Sequence, residues 1–462
     1  MPGFDPTDGL CAPDLAAVTG RVRQGPVLVV GLGRSGRAAV ALLGARGAEV
    51  RAYDAAARPA AAPAVPTFSG PDVPPEALAG VALVVLSPGV PPAPVVAAVG
   101  AHAPGARVTG TFTLGIAALL DESPDADLFL VTGTNGKSTT ATILAALLEA
   151  DGRAVFAGGN LGPPLCAHLA GDTRARAYVL EASSFQLETY PGAPARAAVI
   201  TNVTPDHLDR YPGVDAYAAT KAAVFRGMDA GRPAVLGAPV PEAAAPPPPP
   251  GLRVIRAYEA SFDPGGAIVL PGAPPVDAGG FPLAGAHNRR NAACALAVAL
   301  DADVPPDACA RGLAAVRPLP HRCAFVAALD GVAFYDDSKA TNVASAVATL
   351  DGLARPFVLV AGGRAKPGDD PTPLVDLVAR EGRGAVLLGE SAARLAALLG
   401  RHVPVSVVDT MDEAVAAARA LAQPGDAVVL APAAASFDRY ENFEARGRDF
   451  ARAVRTAYPS AT

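Results

Sequence analysis

Short apolar runs recur along the chain, several of them meeting a glycine turn and leading into a longer alanine-rich stretch. Runs of this length without polar alternation fit strands buried on both faces of a parallel sheet, and the longer stretches fit the helices that cover them. In the first series, P-V-L-V-V-G-L-G-R-S-G-R-A-A-V-A-L-L at 26–43 is followed by E-V-R-A-Y-D at 49–54 and A-L-V-V-L-S-P-G-V at 82–90. A second series begins at Leu128, passes through A-Y-V-L-E and A-A-V-I-T-N-V, and ends near Arg317. A third carries R-P-F-V-L-V-A-G-G, G-A-V-L-L-G and D-A-V-V-L-A-P. Strand, glycine turn and helix repeat in each, so the pattern predicts an α/β chain of parallel sheets.

With 462 residues the chain is too long for one ordinary core. Joints are expected at Arg107–Leu114 and Arg317–Pro320, which divides the chain into 1–112, 113–317 and 318–462. Hydrophobic residues make up 51%, but aromatics only 5%, and tryptophan is absent, so alanine, valine and leucine must do the packing. The balance of 38 basic against 44 acidic residues gives a net charge of -6, which offers no general attraction for a polyanion and argues against nucleic acid as a partner. Five cysteines, at 11, 166, 294, 309 and 323, are odd in number and form no C-x-x-C pair, as expected of small hydrophobes in a reducing compartment. No secretory pattern opens the chain and no window reads as a membrane span, so a cytoplasmic protein without a membrane partner is expected. The run A-A-A-P-P-P-P-P-G at 243–251 reads as a stiff surface spacer.

Three stretches carry chemistry. G-L-G-R-S-G, with Gly31, Gly33 and Gly36, follows a strand and opens a helix, and Asp54 falls about 20 residues on. That is a diphosphate-binding pattern, and by itself it would suit a nicotinamide oxidoreductase. G-T-N-G-K-S-T at 133–139 is a second phosphate cradle, although Val131 stands where the usual spacing has a glycine. In it Gly133, Thr134, Asn135 and Gly136 form the loop, Lys137 supplies charge for terminal phosphates, and Ser138 or Thr139 can reach a magnesium ion. Glu181 ends the strand Y-V-L-E, where a hard oxygen ligand for magnesium belongs, and His207 lies between Asp206 and Asp209 after another strand. His207 reads equally as a structural residue or as a ligand to metal or substrate. Lys221, in Y-A-A-T-K-A-A-V-F, has the composition of an ordinary helix-surface lysine.

Together these residues resemble the Mur ligase family, the ATP-dependent amide ligases of peptidoglycan precursor synthesis, and the short G-T-N-G-K-S-T loop is that family's form. The resemblance continues through H-N-R-R-N at 287–291, L-P-H-R at 319–322, D-S-K-A-T-N at 337–342, G-G-R-A-K at 362–366 and A-P-A-A-A-S-F-D-R-Y-E-N-F-E-A-R-G at 431–447. It implies three domains: a Rossmann-like N-terminal domain, a central P-loop ATPase-like parallel sheet domain and a C-terminal Rossmann-like α/β domain. D-S-K-A-T-N and S-F-D…N-F-E-A-R-G point within the family to the addition of D-glutamate to UDP-N-acetylmuramoyl-L-alanine through an acyl phosphate. Sibling ligases, including folylpolyglutamate synthases, share the loop without those two signatures. A non-catalytic nucleotide-binding regulator would lack the complete set Lys137, Glu181, His207 and Lys221.

By that resemblance, Lys137 contacts the phosphates of ATP, and Asn291, Arg322 and Asp337 contact the nucleotide. Ser138 and Glu181 would hold one magnesium ion, and His207 with a carbamate on Lys221 would hold a second. Ser35, Asp54 and Gly89 of the S-P-G turn would hold the uridine diphosphate, with Asn160 reaching the same substrate. Lys339, Thr341, Lys366, Ser436 and Phe443 would surround D-glutamate. Two departures stand out: Ala55-Ala56 replaces a pair that helps grip uracil, and Thr113 stands where an acidic residue is common. A monomer is expected.

Overall fold

The structure is a computed structural model that describes residues 11–457 apart from 13, 57–63, 173, 240–246, 264, 284, 354, 367 and 368. The N-terminal ten residues and the start of the proline run, 243–246, therefore lie outside the described residues. The chain forms two compact units: one of residues 1–203, 215–281 and 290–316, the other of 204–214, 282–289 and 317–462.

The first unit contains two parallel sheets and a small antiparallel one. Strands β1 (Val27–Val30), β2 (Val50–Asp54), β3 (Thr67–Ser69), β4 (Leu83–Leu86) and β5 (Arg107–Gly110) lie in the order β3-β2-β1-β4-β5. That order places the topological switch between β1 and β4, where a doubly wound sheet opens its ligand crevice. Strands β6 (Asp127–Thr132), β7 (Val155–Gly159), β8 (Ala177–Glu181), β9 (Ala197–Ile200), β10 (Pro233–Leu236) and β11 (Arg253–Arg256) form a second sheet ordered β11-β10-β9-β6-β8-β7. The stretch expected to be the first joint is β5 followed by the helix Thr111–Glu122, whose residues 111–119 are all buried. Phe112, Leu114, Ile116 and Leu119 share one apolar core with Val27, Leu83, Leu130 and Tyr178, so this helix packs into the interior of the unit. Thr113 is fully buried and donates to Thr189 O at 3.2 Å, a contact that a carboxylate could not make without a proton.

Beyond β11 comes the antiparallel sheet β12 (Ser261–Phe262), β13 (Ala267–Val269) and β14 (Val276–Asp277), which the apolar pattern did not announce because its strands are two or three residues long. Cys166, Cys294 and Cys309 are buried, in keeping with their reading as small hydrophobes.

The second unit is built on β15 (Ala324–Leu329), β16 (Val332–Asp336), β17 (Phe357–Ala361), β18 (Gly382–Leu387), β19 (Val405–Val407) and β20 (Ala427–Leu430), ordered β15-β16-β20-β17-β18-β19. Two apolar cores cover its faces. The sheet is mixed, because β15 and β16 are antiparallel. Their turn is Asp330-Gly331 with φ of 46° and 77°, the primed geometry that an Asp-Gly pair favours in a two-residue hairpin.

Candidate functional site

The loop after β6 is tied down from the next strand. Asn202, just beyond β9, accepts from Thr134 N at its carbonyl (2.9 Å) and from Asn135 N at Oδ1 (3.0 Å), while its Nδ2 donates to Asn135 O (3.0 Å). Thr201 Oγ1 donates to the same carbonyl at 2.6 Å. Gly136 turns into the helix Lys137–Ala150 with φ of +81°, and a Cβ there would sit 2.3 Å from Asn291 Oδ1. Asn291 is thereby placed against the loop, and the helix start has no side-chain cap, so its first amides face outward in the manner that suits a phosphate. Lys137 Nζ donates to Thr134 O at 2.7 Å, folding back over the turn. Ser138 and Thr139 are buried in the first turn.

Lys221 is not a surface residue. Its side chain is 1% exposed, with Nζ donating to Gly133 O at 2.7 Å and lying 4.3 Å from the centre of the Tyr217 ring. The helix that carries it, Val214–Ala222, turns this residue inward, which local composition does not reveal. Glu181 pairs in register with Val131, so its carboxylate stands at the same sheet edge as the loop. It is 1% exposed and accepts from Asn160 Nδ2 at 2.5 Å. Among the described residues there is no cluster of three or more His, Cys, Asp or Glu that would hold a metal. Magnesium carried by nucleotide phosphates asks for only one or two protein oxygens, and Ser138 and Glu181 are side chains with oxygens of that kind.

At the first glycine turn, Asp54 Oδ2 accepts from Leu32 N at 2.7 Å and Ser87 Oγ donates to Gly31 O at 2.7 Å. Asp54 therefore braces the turn from within. Its Oδ1 accepts from Ala56 N (3.0 Å), a backbone contact that alanine makes as well as any other residue. Gly36 lets the helix approach: a Cβ there would lie 1.8 Å from Gly31 O. Ser35 is half-buried at the helix start, and Gly89 is exposed.

In the second unit the ordering centre is Asp206. Its Oδ1 pairs with Lys366 Nζ at 2.6 Å and accepts from His207 N at 2.9 Å, and its Oδ2 accepts from Asn342 Nδ2 at 3.2 Å. Burial draws this carboxyl upward, yet the charges and hydrogen bonds of Lys366 and His207 outweigh it and hold the group below its ordinary range. His207 itself has φ of 55°, a left-handed backbone that costs energy in a residue with a Cβ and that collects at functional sites.

Asp337 is buried and pushed up to about 7 by its desolvation, against the pull of hydrogen bonds from Thr349 Oγ1 and Cys323 N and of the Arg322 charge. His321 Nδ1 lies 2.6 Å from Asp336 Oδ2. Ser338 Oγ donates to Phe443 O at 2.8 Å, and Lys339 Nζ lies 3.8 Å from the centre of the Phe443 ring. Thr341 N donates to Lys339 O at 2.8 Å, tightening the D-S-K-A-T-N segment. Arg446, 3% exposed, donates to Ser338 Oγ and O and to Ala434 O, and so fastens the C-terminal helix to two loops. The Ser436 hydroxyl is buried without a hydrogen-bond partner among the described residues.

The expected residues thus fall into two groups. Gly133–Thr139, Glu181, Lys221, Asn160 and Asn291 gather around the phosphate loop in the first unit, with Ser35, Asp54 and Gly89 at its other sheet. His207, Arg322, Asp337, Lys339, Thr341, Lys366, Ser436 and Phe443 belong to the second. Asn202, Asp206, Asn342 and Arg446 were not singled out as site residues. Each lies inside or beside a motif, but partner choice and burial carry no local signature.

The chain matches the Mur ligase middle domain over residues 131–246 and the Mur ligase glutamate ligase domain over 321–434. It is 41% identical to the UDP-N-acetylmuramoylalanine--D-glutamate ligase of Aromatoleum aromaticum, covering 96% of this chain and 98% of the relative. The same-named proteins of Frankia casuarinae (42%, covering 93% and 94%) and Pseudomonas aeruginosa (38%, covering 92% and 97%) are similar along nearly their whole length. In fold it is similar to the UDP-N-acetylmuramate-alanine ligase of Thermotoga maritima, with a TM-score of 0.59 at 17% identity over 94% of this chain and 99% of that one. MurF of Acinetobacter baumannii gives 0.57 at 18% over 95% and 98%. With the loop, the buried lysine and glutamate and the D-S-K-A-T-N segment all in place along a chain of this length, the protein belongs to the Mur ligase family.

Proposed function

We propose that the protein joins D-glutamate to UDP-N-acetylmuramoyl-L-alanine at the expense of ATP, a step in the assembly of peptidoglycan precursors. The observation that carries this reading is the near full-length similarity to relatives of that name, from the first glycine turn to the closing S-F-D…N-F-E-A-R-G segment. No helix among the described residues is long and apolar enough to cross a membrane, which suits water-borne substrates.

A carboxylate resists attack by an amine because it has no leaving group. Transfer of the γ-phosphoryl group of ATP to the L-alanine carboxylate gives an acyl phosphate and ADP. The D-glutamate amine then forms the C–N bond as the C–O bond to phosphate breaks, and the amine proton passes to solvent or base. Catalysis of the first step is chiefly positioning and neutralisation of charge. The outward amides of helix Lys137–Ala150 and the Lys137 ammonium supply it, with Asn291, Arg322 and Asp337 as nucleotide contacts. Ser138 and Glu181 would hold magnesium arriving with the nucleotide, whose charge would offset that of the phosphates, and His207 with Lys221 would hold a second ion.

A carbamate on Lys221 fits its surroundings, because carbamylation leaves one N–H to keep donating to Gly133 O while adding a carboxylate for a metal. The orphaned Ser436 hydroxyl, with Lys339, Thr341, Lys366 and Phe443, forms a setting of cations and donors suited to a dicarboxylate. Ser35, Asp54, Gly89 and Asn160 are the contacts for the nucleotide sugar. The division into 1–112, 113–317 and 318–462 assigns these three duties in chain order.

The deciding experiment is phosphate release from ATP with UDP-N-acetylmuramoyl-L-alanine, comparing D-glutamate, L-glutamate, L-lysine and meso-diaminopimelate. Release with D-glutamate alone is the expected result. Release with another amino acid moves the protein to a sibling activity, and none with any of them removes the reading.

A further inference from the structure

The three arginines in and just after the helix Arg34–Ala45 are placed differently. Arg37 Nη1 donates to Leu32 O at 2.6 Å, and Arg46, at the helix end, pairs with Glu122. Arg34 is the first helical residue, exposed, and has no ion-pair partner among the described residues. A positive charge in the first turn opposes the helix dipole, so by itself this arginine disfavours the helix it begins. Side chains on a helix lean toward its N-terminus, which carries Arg34 past the glycine turn.

What it meets there is a second loop. A Cβ built on Gly162 would lie 3.1 Å from Arg34 Nη1 and 3.4 Å from both Cζ and Nη2, so the end of the guanidinium lies close against that glycine. The loop is rigid: Gly159 N donates to Pro163 O (2.9 Å), Gly162 N to Gly159 O (3.0 Å), and Asn160 N to Glu181 O (2.9 Å). Asn160 Nδ2 also holds the Glu181 carboxylate. One cation therefore joins the glycine turn of the first sheet to the loop that positions a carboxylate at the phosphate end of the second.

We infer that Arg34 binds the diphosphate of the nucleotide-sugar substrate, held between the glycine turn and the 159–163 loop, and so positions that substrate relative to Glu181. The inference rests on the nucleotide-sugar reading above. A diphosphate beside the first turn removes the conflict between the arginine and the helix dipole, and the planar guanidinium offers it paired donors. Ser35 and the outward amides of the turn supply the remaining donors.

The test uses the full chain with Arg34→Ala and Arg34→Lys. Arg34→Ala should raise KM for UDP-N-acetylmuramoyl-L-alanine roughly tenfold and weaken calorimetric binding of UDP by a similar factor, the loss of one charge-assisted contact. The loss should fall on that KM, with those for ATP and D-glutamate unmoved and the melting temperature retained. Arg34→Lys should recover part of the affinity, having the charge without the planar fork of donors. An unchanged KM for the nucleotide sugar, or a parallel change in every constant together with a lower melting temperature, overturns the inference while leaving the ligase reading intact. Parent protein that binds no UDP overturns both.

Discussion

Lys366 and Asp206 form a 2.6 Å ion pair in which the carboxylate side chain is 6% exposed and the lysine 15%. A pair this enclosed is costly to break one partner at a time, since the survivor stays desolvated. Asp206→Asn should destabilise the protein by about 3 kcal/mol, and Asp206→Asn with Lys366→Met should recover much of it. Denaturant melts of the three proteins decide the matter, and an Asp206→Asn variant as stable as its parent would show the pair to be dispensable. Because the folded carboxyl is held low, its contribution is present above the unfolded value near 4 and is lost as pH falls through the lower folded value.

Lys137→Ala should lower kcat/KM by at least about 100-fold, the scale of losing one donor to developing phosphate charge. Its fold should persist, because the loop is tied by Asn202 and Thr201 independently of the lysine. Phosphate release and a melting curve, run side by side, separate the two effects. Near-parental turnover would exclude Lys137 from the chemistry.

Asp337 gives a pH dependence of opposite sign to that of Asp206. Burial raises its folded pKa to about 7, so between the unfolded value and that point the folded chain holds a proton the unfolded chain has released. Stability from this group therefore falls as pH rises across the window. Asp337→Asn should lose the decline, gaining on the parent between about pH 5 and about pH 8 when both are melted in parallel. Two curves of identical shape would mean that the carboxyl is ionised throughout.

Arg446→Lys should cost about 2 kcal/mol, because an ammonium cannot reproduce the planar set of bonds to Ser338 and Ala434 and leaves buried carbonyls unsatisfied. Thermal unfolding measures it, and a melting point equal to the parent's would contradict the bracing role.

Carbon-13 bicarbonate should label the parent protein with a carbamate resonance that Lys221→Arg lacks. An active parent that shows no such signal would leave Lys221 as an unmodified ammonium on Gly133 O.

The parallel sheets were legible because buried strands such as F-V-L-V-A and A-V-V-L are short and wholly apolar, and the phosphate loop because its glycines, lysine and hydroxyl are contiguous. The hairpin β15–β16 was missed although Asp330-Gly331 announces it, since its strands mix exposed and buried positions. The burial of Lys221 is not visible in its own neighbourhood, because it depends on which way a helix faces. The tether of Asn202 to Asn135 spans 67 positions and the link of Asn342 to Asp206 spans 136, so nothing in either neighbourhood hints at the other.

The hold of Asn202 on Thr134 and Asn135 has a thermodynamic consequence for any nucleotide that arrives. Fixing a loop residue costs roughly 1–2 kcal/mol of backbone entropy, and in an unbraced glycine loop that cost would be deducted from affinity. Here it is met when the chain folds. Binding should accordingly show a smaller unfavourable entropy than a loop ordered only by its ligand, and loosening Asn202 should weaken the nucleotide without removing a single contact to it.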